Sequence, residues 1–253
     1  MVDVWRWWGI FSSMTRLRAT LPLLIGILLL AGCTVSQQLD IQGDGSGTAE
    51  LDISIHPIMI AYYNDLMVAM SGVEGEYPVF DLEALATTFA QRPGAELLSV
   101  EQLSRGRLRM AMAFSSVSAL SESGRSEFIT FEESGRERTV RLQLDRGAID
   151  EFLAFAPQET VSMTQFLFPP ADGSMSASEF EEQMAWALEE YGDAEAVRDA
   201  LSGAVIEVRV RTQGRITAVD GGRRDGDVVV FQVPVIEALT LQQSRTYSVS
   251  FEL

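Results

Sequence analysis

The chain has 253 residues, with 36 Asp and Glu against 19 basic side chains and a single histidine, for a formal charge of −17. Every basic side chain other than His56 is Arg, and Lys is absent. Such an acidic chain repels phosphate polymers and anionic lipid surfaces, which argues against nucleic acid as a partner and against electrostatic adsorption to membranes.

The first 32 residues have the layout of an export signal. Arg6, Arg16 and Arg18 form a positive region, residues 21–30 (LPLLIGILLL) an apolar core, and Ala31 and Gly32 a small pair before Cys33, the only cysteine. A bilayer-spanning helix needs about 20 apolar residues; this core is shorter and contains Pro22 and Gly26. Leu30-Ala31-Gly32-Cys33 resembles the lipobox of bacterial lipoproteins. That resemblance implies cleavage before Cys33 and a diacylglyceryl group on its thiol, with a further N-terminal acyl chain in many cases. One acyl chain holds a protein only marginally, at about 0.8 kcal/mol per buried methylene, whereas two or three anchor it stably. Thr34 stands where Asp retains many such proteins in the inner membrane, which favours the outer membrane over the cytoplasmic one. Three Arg and Asp3 lie in the leader, leaving 16 Arg against 35 acidic residues, a charge of −19, in the exported part. The missing Lys reads as genome composition rather than Arg-based anion recognition.

Residues 33–38 are expected to form a short tether and 39–253 a single extracytoplasmic domain. A strand is predicted over 37–42 and a second over 48–55, where Ala49, Leu51, Ile53 and Ile55 alternate with Glu50, Asp52 and Ser54 around the 43–47 glycine turn. Residues 57–70 predict a mostly buried helix with Pro57 in its first turn, and 81–92 a second helix capped by Asp81. Strands are predicted over 96–103, 107–114, 127–133 and 138–144. The pattern over 148–201 is mainly helical: 148–155, 161–168, a helix from a Ser178-x-x-Glu181 capping box to 191, and 193–201. Strands return over 205–211, 215–219, 228–233 and 245–252, with 220–227 as a polar turn and 234–241 as a connection. No second segment of the exported part is apolar enough to span a membrane. The fold class expected is α+β, an antiparallel β-sheet covered by helices, with a helical segment before the C-terminal hairpin.

Leu39-Asp40-Ile41, the 43–47 glycine turn and the strand to Ile55 resemble the N-terminal hairpin of LppM-type bacterial lipoproteins. Residues 205–210, Gly214-Arg215-Ile216, Asp220-Gly221-Gly222 and 225–231 resemble the closing hairpin of the same family. Gln213-Gly214 stands where Pro-Gly is common, and Phe231 where Trp is frequent. The resemblance implies an envelope-attached α+β domain with a lipid or glycolipid ligand, and no catalytic residues.

Inventory limits the chemistry. Zinc sites of the Cys/His type and Ser–Lys dyads lack their residues, and no nucleophile motif points to His56, which reads as a strand-end residue. Asp44 and Asp220/Asp225/Asp227 sit in turns rich in oxygen donors, without EF-hand spacing; turn geometry accounts for both. Met59, Met67 and Met70 with Ile58, Tyr62 and Tyr63 line either a core or an apolar pocket, and Phe152, Phe155, Phe166 and Phe168 either a core or a contact patch. The sequence thus predicts a lipid-anchored envelope protein of non-enzymatic binding or structural role, without cofactor or metal, its partners the membrane through Cys33 and a lipid or protein of the envelope. A carrier or sensor of an apolar small molecule and, further, a carboxylate-dependent hydrolase remain the alternatives.

Overall fold

The computed structural model describes residues 33–120, 128–145, 169–170, 173–241 and 243–253. The expected export signal, the expected helices over 148–155 and 161–168, and the four phenylalanines Phe152, Phe155, Phe166 and Phe168 lie outside the described residues.

Two sheets form instead of one. The strands are β1 (Cys33–Ile41), β2 (Gly47–Ile55), β3 (Ala95–Ser104), β4 (Arg107–Phe114), β5 (Ile129–Ser134), β6 (Glu137–Leu144), β7 (Val205–Thr212), β8 (Arg215–Asp220), β9 (Arg223–Asp225), β10 (Val228–Pro234) and β11 (Arg245–Glu252). The larger sheet has the order β3-β4-β2-β1-β7-β10-β9, and the smaller one β5-β6-β11-β8. The helices are α1 (Pro57–Ser71), α2 (Leu82–Ala90), α3 (Ala177–Ala187), α4 (Ala194–Ser202) and α5 (Val235–Leu239).

Four further expectations need correction. The large sheet is not wholly antiparallel: β1 pairs with β7 in parallel, Val35 opposite Ile206 through Ile41 opposite Thr212. Residues 33–38 are no tether, because they belong to β1 and are paired with β2 from Cys33 opposite Ile55 onward. A six-residue polar stretch becomes strand here because it is central, hydrogen-bonded to a neighbour on each side. The 220–227 turn also contains the short edge strand β9, and the 234–241 connection holds α5, whose Val235, Ile236, Ala238 and Leu239 are all buried.

The chain changes sheet at Gln213-Gly214, between β7 and β8. Gly214 has φ of +140°, and a Cβ there would lie 2.3 Å from the Glu252 carbonyl oxygen, so only glycine fits without displacing backbone. The corner is tied to the β1–β2 turn: the Gly43 N–H donates to Gln213 Oε1 (3.0 Å), and Arg138 Nε donates to the Gly43 carbonyl (3.0 Å).

There are two cores. Leu39, Ile41, Met110, Phe114, Val140, Val229, Phe231, Val249 and Phe251 fill one, between the sheets. Ile55, Met59, Tyr63, Phe180, Met184, Leu188, Val197, Leu201, Val235 and Leu239 fill the other, among α1, α3, α4 and α5. Ile53, Phe80 and Ile206 pack against both. α1, α3, α4 and α5 therefore gather at the end of the large sheet where β2 ends and β7 begins, whereas α2 packs Leu82, Leu85 and Phe89 on the inter-sheet core. The edge strand β3 is broken by two bulges, whose extra residues are Leu98 and Leu103, both exposed. Such irregularity makes a ten-residue edge a poor template for another chain.

Candidate functional site

Cys33 is the first residue of β1, and its backbone faces Ile55, the last residue of β2. The elements meeting at this end follow from local sequence. Pro57 occupies the first turn of α1, where its missing N–H is no loss. His56 is the N-cap of that helix, its Nδ1 accepting from the Ile58 N–H at 3.3 Å. The helix stops at Gly72, which takes the left-handed conformation (φ +67°) and donates its N–H to the Val68 carbonyl. Asp193 caps α4 by accepting from the Ala196 N–H at 2.8 Å. The Thr34 hydroxyl donates to the Gly203 carbonyl just beyond the end of α4 (3.4 Å). Between these parts lies a depression of about 280 Å³, lined in part by Thr34, Ser54, His56, Pro57 and Asp199.

A polar clamp holds the loop after α1 against the β3–β4 turn. Arg105 donates to Asn64 Oδ1 (2.5 Å) and to the Tyr77 carbonyl (3.4 Å), and lies 3.7 Å from Glu76. Asn64 accepts in turn from the Tyr77 N–H (3.1 Å) and donates to the Gly75 carbonyl (3.2 Å). Beneath it Tyr63 donates to the Pro78 carbonyl (2.9 Å), and burial pushes its phenol up to about 12. Tyr191 stacks edge-on against Tyr62 and donates to Asp65 (3.1 Å); burial first, and that bond second, raise it to about 12 as well. Sequence inspection missed this clamp, because Asn64, Tyr77 and Arg105 carry no shared motif.

The other candidate residues have structural partners. Asp44 Oδ1 accepts from the Ser46 N–H (3.0 Å) and hydroxyl (2.7 Å), a turn closed on itself, and those bonds hold its carboxyl below the usual range. Asp225 lies 3.8 Å from Arg223, and Asp227 3.3 Å from Arg211. Among the described residues, no group of three or more His, Cys, Asp or Glu is placed to hold a metal ion. Ile58, Met59, Tyr63 and Met67 are buried in the helical core, Tyr62 is half-buried against it, and Met70 is exposed. The capping box of α3 is Ser176 with Glu179, two residues before the expected Ser178 and Glu181.

Trp186, on the outer face of α3, was not singled out by sequence. It is 71% exposed, the most exposed large apolar side chain among the described residues. The available signal was its solitude: Trp5, Trp7 and Trp8 precede Cys33, and it is the only Trp after that residue. Glu182 on the same helix and Glu189 and Glu190 in the turn that follows it are exposed acids. Among the described residues no helix is long and apolar enough to cross a membrane.

The chain matches no family model, and no curated protein matches it. Among solved structures, the NMR structure of the folded domain of LppM from Mycobacterium tuberculosis is similar, with a TM-score of 0.39 and 13% identity over 87% of this chain and 89% of that one. Function therefore has to be read from the chain's own residues.

Proposed function

We propose that this chain is a lipoprotein of the bacterial cell envelope, anchored through a diacylglyceryl thioether on Cys33, whose extracytoplasmic domain has a non-enzymatic binding or structural role. One observation carries the reading. The charged region, the ten-residue apolar core and the small Ala31-Gly32 pair stand in that order directly before Cys33, the only cysteine of the chain. The absence of catalysis is supported by how the candidate polar groups are used: His56 caps a helix, Asp44 closes a turn, and Asp225 and Asp227 pair with arginines.

The test is metabolic labelling with an alkyne fatty acid in a bacterial host. The wild-type protein should carry the label and partition with membranes, and Cys33→Ser should do neither. An unlabelled wild type, or equal label on both, overturns the proposal. The binding role is checked by native mass spectrometry of the detergent-extracted protein from its own host, where a lipid or protein should accompany it.

A further inference from the structure

Three chain crossings join the large sheet to the helical layer at the Cys33 end. β2 passes through His56 into α1, α4 delivers the chain to β7, and β10 runs on into α5. The β1–β2 turn, the Gln213-Gly214 corner and Arg138 of the smaller sheet meet at the opposite end. The chain preceding the fold, with its apolar core at 21–30, joins the domain at the helical end.

We infer that this helical end is a bilayer-facing surface, seated against uncharged or zwitterionic headgroups with Trp186 at the interface. The inference rests on anchoring through Cys33 and adds an orientation to it. A flexible tether over 33–38 would give about 20 Å of reach at the extended-chain rise and leave the domain free to tumble. Those residues are strand, with Cys33 itself paired to β2 and residues 35–41 paired on both sides. The lipid attachment point is thus fixed to the centre of the sheet, and whatever surrounds Cys33 is held close to the headgroups. The notch beside it, with Thr34, His56 and Asp199, lies at headgroup level.

Two features define the chemistry of the surface. Trp has an apolar body and one N–H donor, and it partitions to membrane–water interfaces; Trp186 sits exposed on α3, whose Met184 and Leu188 share the core with Ile55 and Ile58 next to the anchor. Residues 177–202 carry eight acids, seven of them exposed, and a single Arg. This charge disfavours anionic lipid within a Debye length, about 10 Å at 0.1 M salt. Anchoring and the Trp oppose that repulsion only where the headgroups carry no net charge.

Trp186 provides its own readout once the leader is removed. The experiment uses full-length protein processed in a bacterial host, extracted and reconstituted in phosphatidylcholine vesicles whose acyl chains are brominated near the headgroup. Intact mass reports the diacylglyceryl group on Cys33. Trp186 emission should be quenched relative to the same processed protein in unbrominated phosphatidylcholine vesicles, and quenched less in brominated phosphatidylglycerol vesicles at low salt. A Trp186→Phe/Ser134→Trp double variant moves the single Trp to the β5–β6 turn, where no quenching is expected. Lipidated protein whose Trp186 emission is the same in brominated and unbrominated vesicles overturns the orientation, as does quenching of the Trp at position 134. A mass without the lipid and a protein that stays off the vesicles overturn the anchor and the orientation together.

Discussion

The helical core and the inter-sheet core are built on opposite plans. Between the sheets, strands separated by most of the chain are locked by register: β1 with β7 in parallel, and β6 with β11 from Leu144 opposite Arg245 to Glu137 opposite Glu252. The surrounding faces carry arginines matched to acids, as in Arg211 with Asp40 and Asp227, Arg209 with Glu207, and Arg141 with Glu132. The helical layer has large buried residues but an unmatched acidic exterior; none of the ion pairs among the described residues involves α3 or α4. One region is finished on its outside as well as its inside, whereas the other leaves charge unneutralised. The unneutralised charge lies on α3 and α4, at the end of the large sheet where β7 begins.

The strongest way to break this comparison is to hollow each core in turn. Phe251 between the sheets and Phe180 under the helices are both fully buried. Either changed to Ala should cost about 3–5 kcal/mol, from lost transfer energy and a residual cavity. Because Ile53, Phe80 and Ile206 pack on both cores, the two should unfold together. Denaturant melts followed by Trp186 fluorescence, which reports the helical layer, and by far-ultraviolet circular dichroism should coincide in wild type and both variants. Curves that separate in Phe180→Ala would show two independently melting units.

Glycines at the two ends give a second contrast. Gly214→Ala forces a Cβ into the Glu252 carbonyl at φ +140°, whereas Gly72→Ala, at φ +67°, meets nothing within 4 Å. The first should cost about 1–3 kcal/mol in strain alone, with more from the displaced backbone; the second should cost about 1–2 kcal/mol, the left-handed penalty of an L-residue. Equal shifts in the denaturation midpoint would mean that the corner relaxes without consequence.

Much of this was readable in sequence, for reasons tied to particular residues. β2 alternates because one face is buried and one is wet, a period visible in eight residues. β1 was read as too short because Thr34, Ser36, Gln37 and Gln38 have no local pattern; its pairing with β7 depends on residues some 170 positions away. The capping box of α3 was placed two residues late because Ser176-x-x-Glu179 and Ser178-x-x-Glu181 overlap. Packing decides between them: with Ser176 as N-cap, Met175 and Phe180 take the two positions of a hydrophobic staple and both join the helical core. With Ser178 those positions would fall to Ala177 and Glu182. At the candidate site, the Cys33 motif is legible because its residues are contiguous in the chain, while Trp186 and the Arg105 clamp gain meaning only from surfaces assembled by the fold.

Alkali and acid should attack different regions. Tyr63 and Tyr191, both packed in the helical layer, are raised from 10.0 to about 12. The unfolded chain loses these protons first, so stability falls as pH rises from about 10 towards 12. Tyr63→Phe removes one titration but leaves the Pro78 carbonyl without its donor, so it should start less stable at neutral pH and lose less on going to pH 11. A melt whose alkaline loss is unchanged in both Tyr63→Phe and Tyr191→Phe would place the sensitive groups elsewhere.

The smallest effect expected is on the sheet face. Asp52 on β2 receives a two-point bond from Arg107 (Nε and NH2, both 3.0 Å) and a second from Arg109 (NH2, 2.9 Å), the arginines standing two apart on β4. The Arg107 bond is the largest cause holding the Asp52 carboxyl below its ordinary 3.8, against burial, which raises it. The folded form therefore binds this proton less readily than the unfolded chain. The stabilisation is complete above pH 3.8 and is lost as pH falls through the depressed folded value. Its size is limited by exposure, since the Asp52 side chain is 24% accessible and the two arginines are about half accessible. Asp52→Asn should thus cost about 0.2–1 kcal/mol near neutrality, shrink with added salt, and converge with wild type as pH falls through the depressed value of the folded carboxyl. A larger loss that ignores salt would mean that Asp52 acts through packing of the β2–β4 pair rather than through charge, and the matched exterior of the sheet would then owe its stability to fit instead of ion pairing.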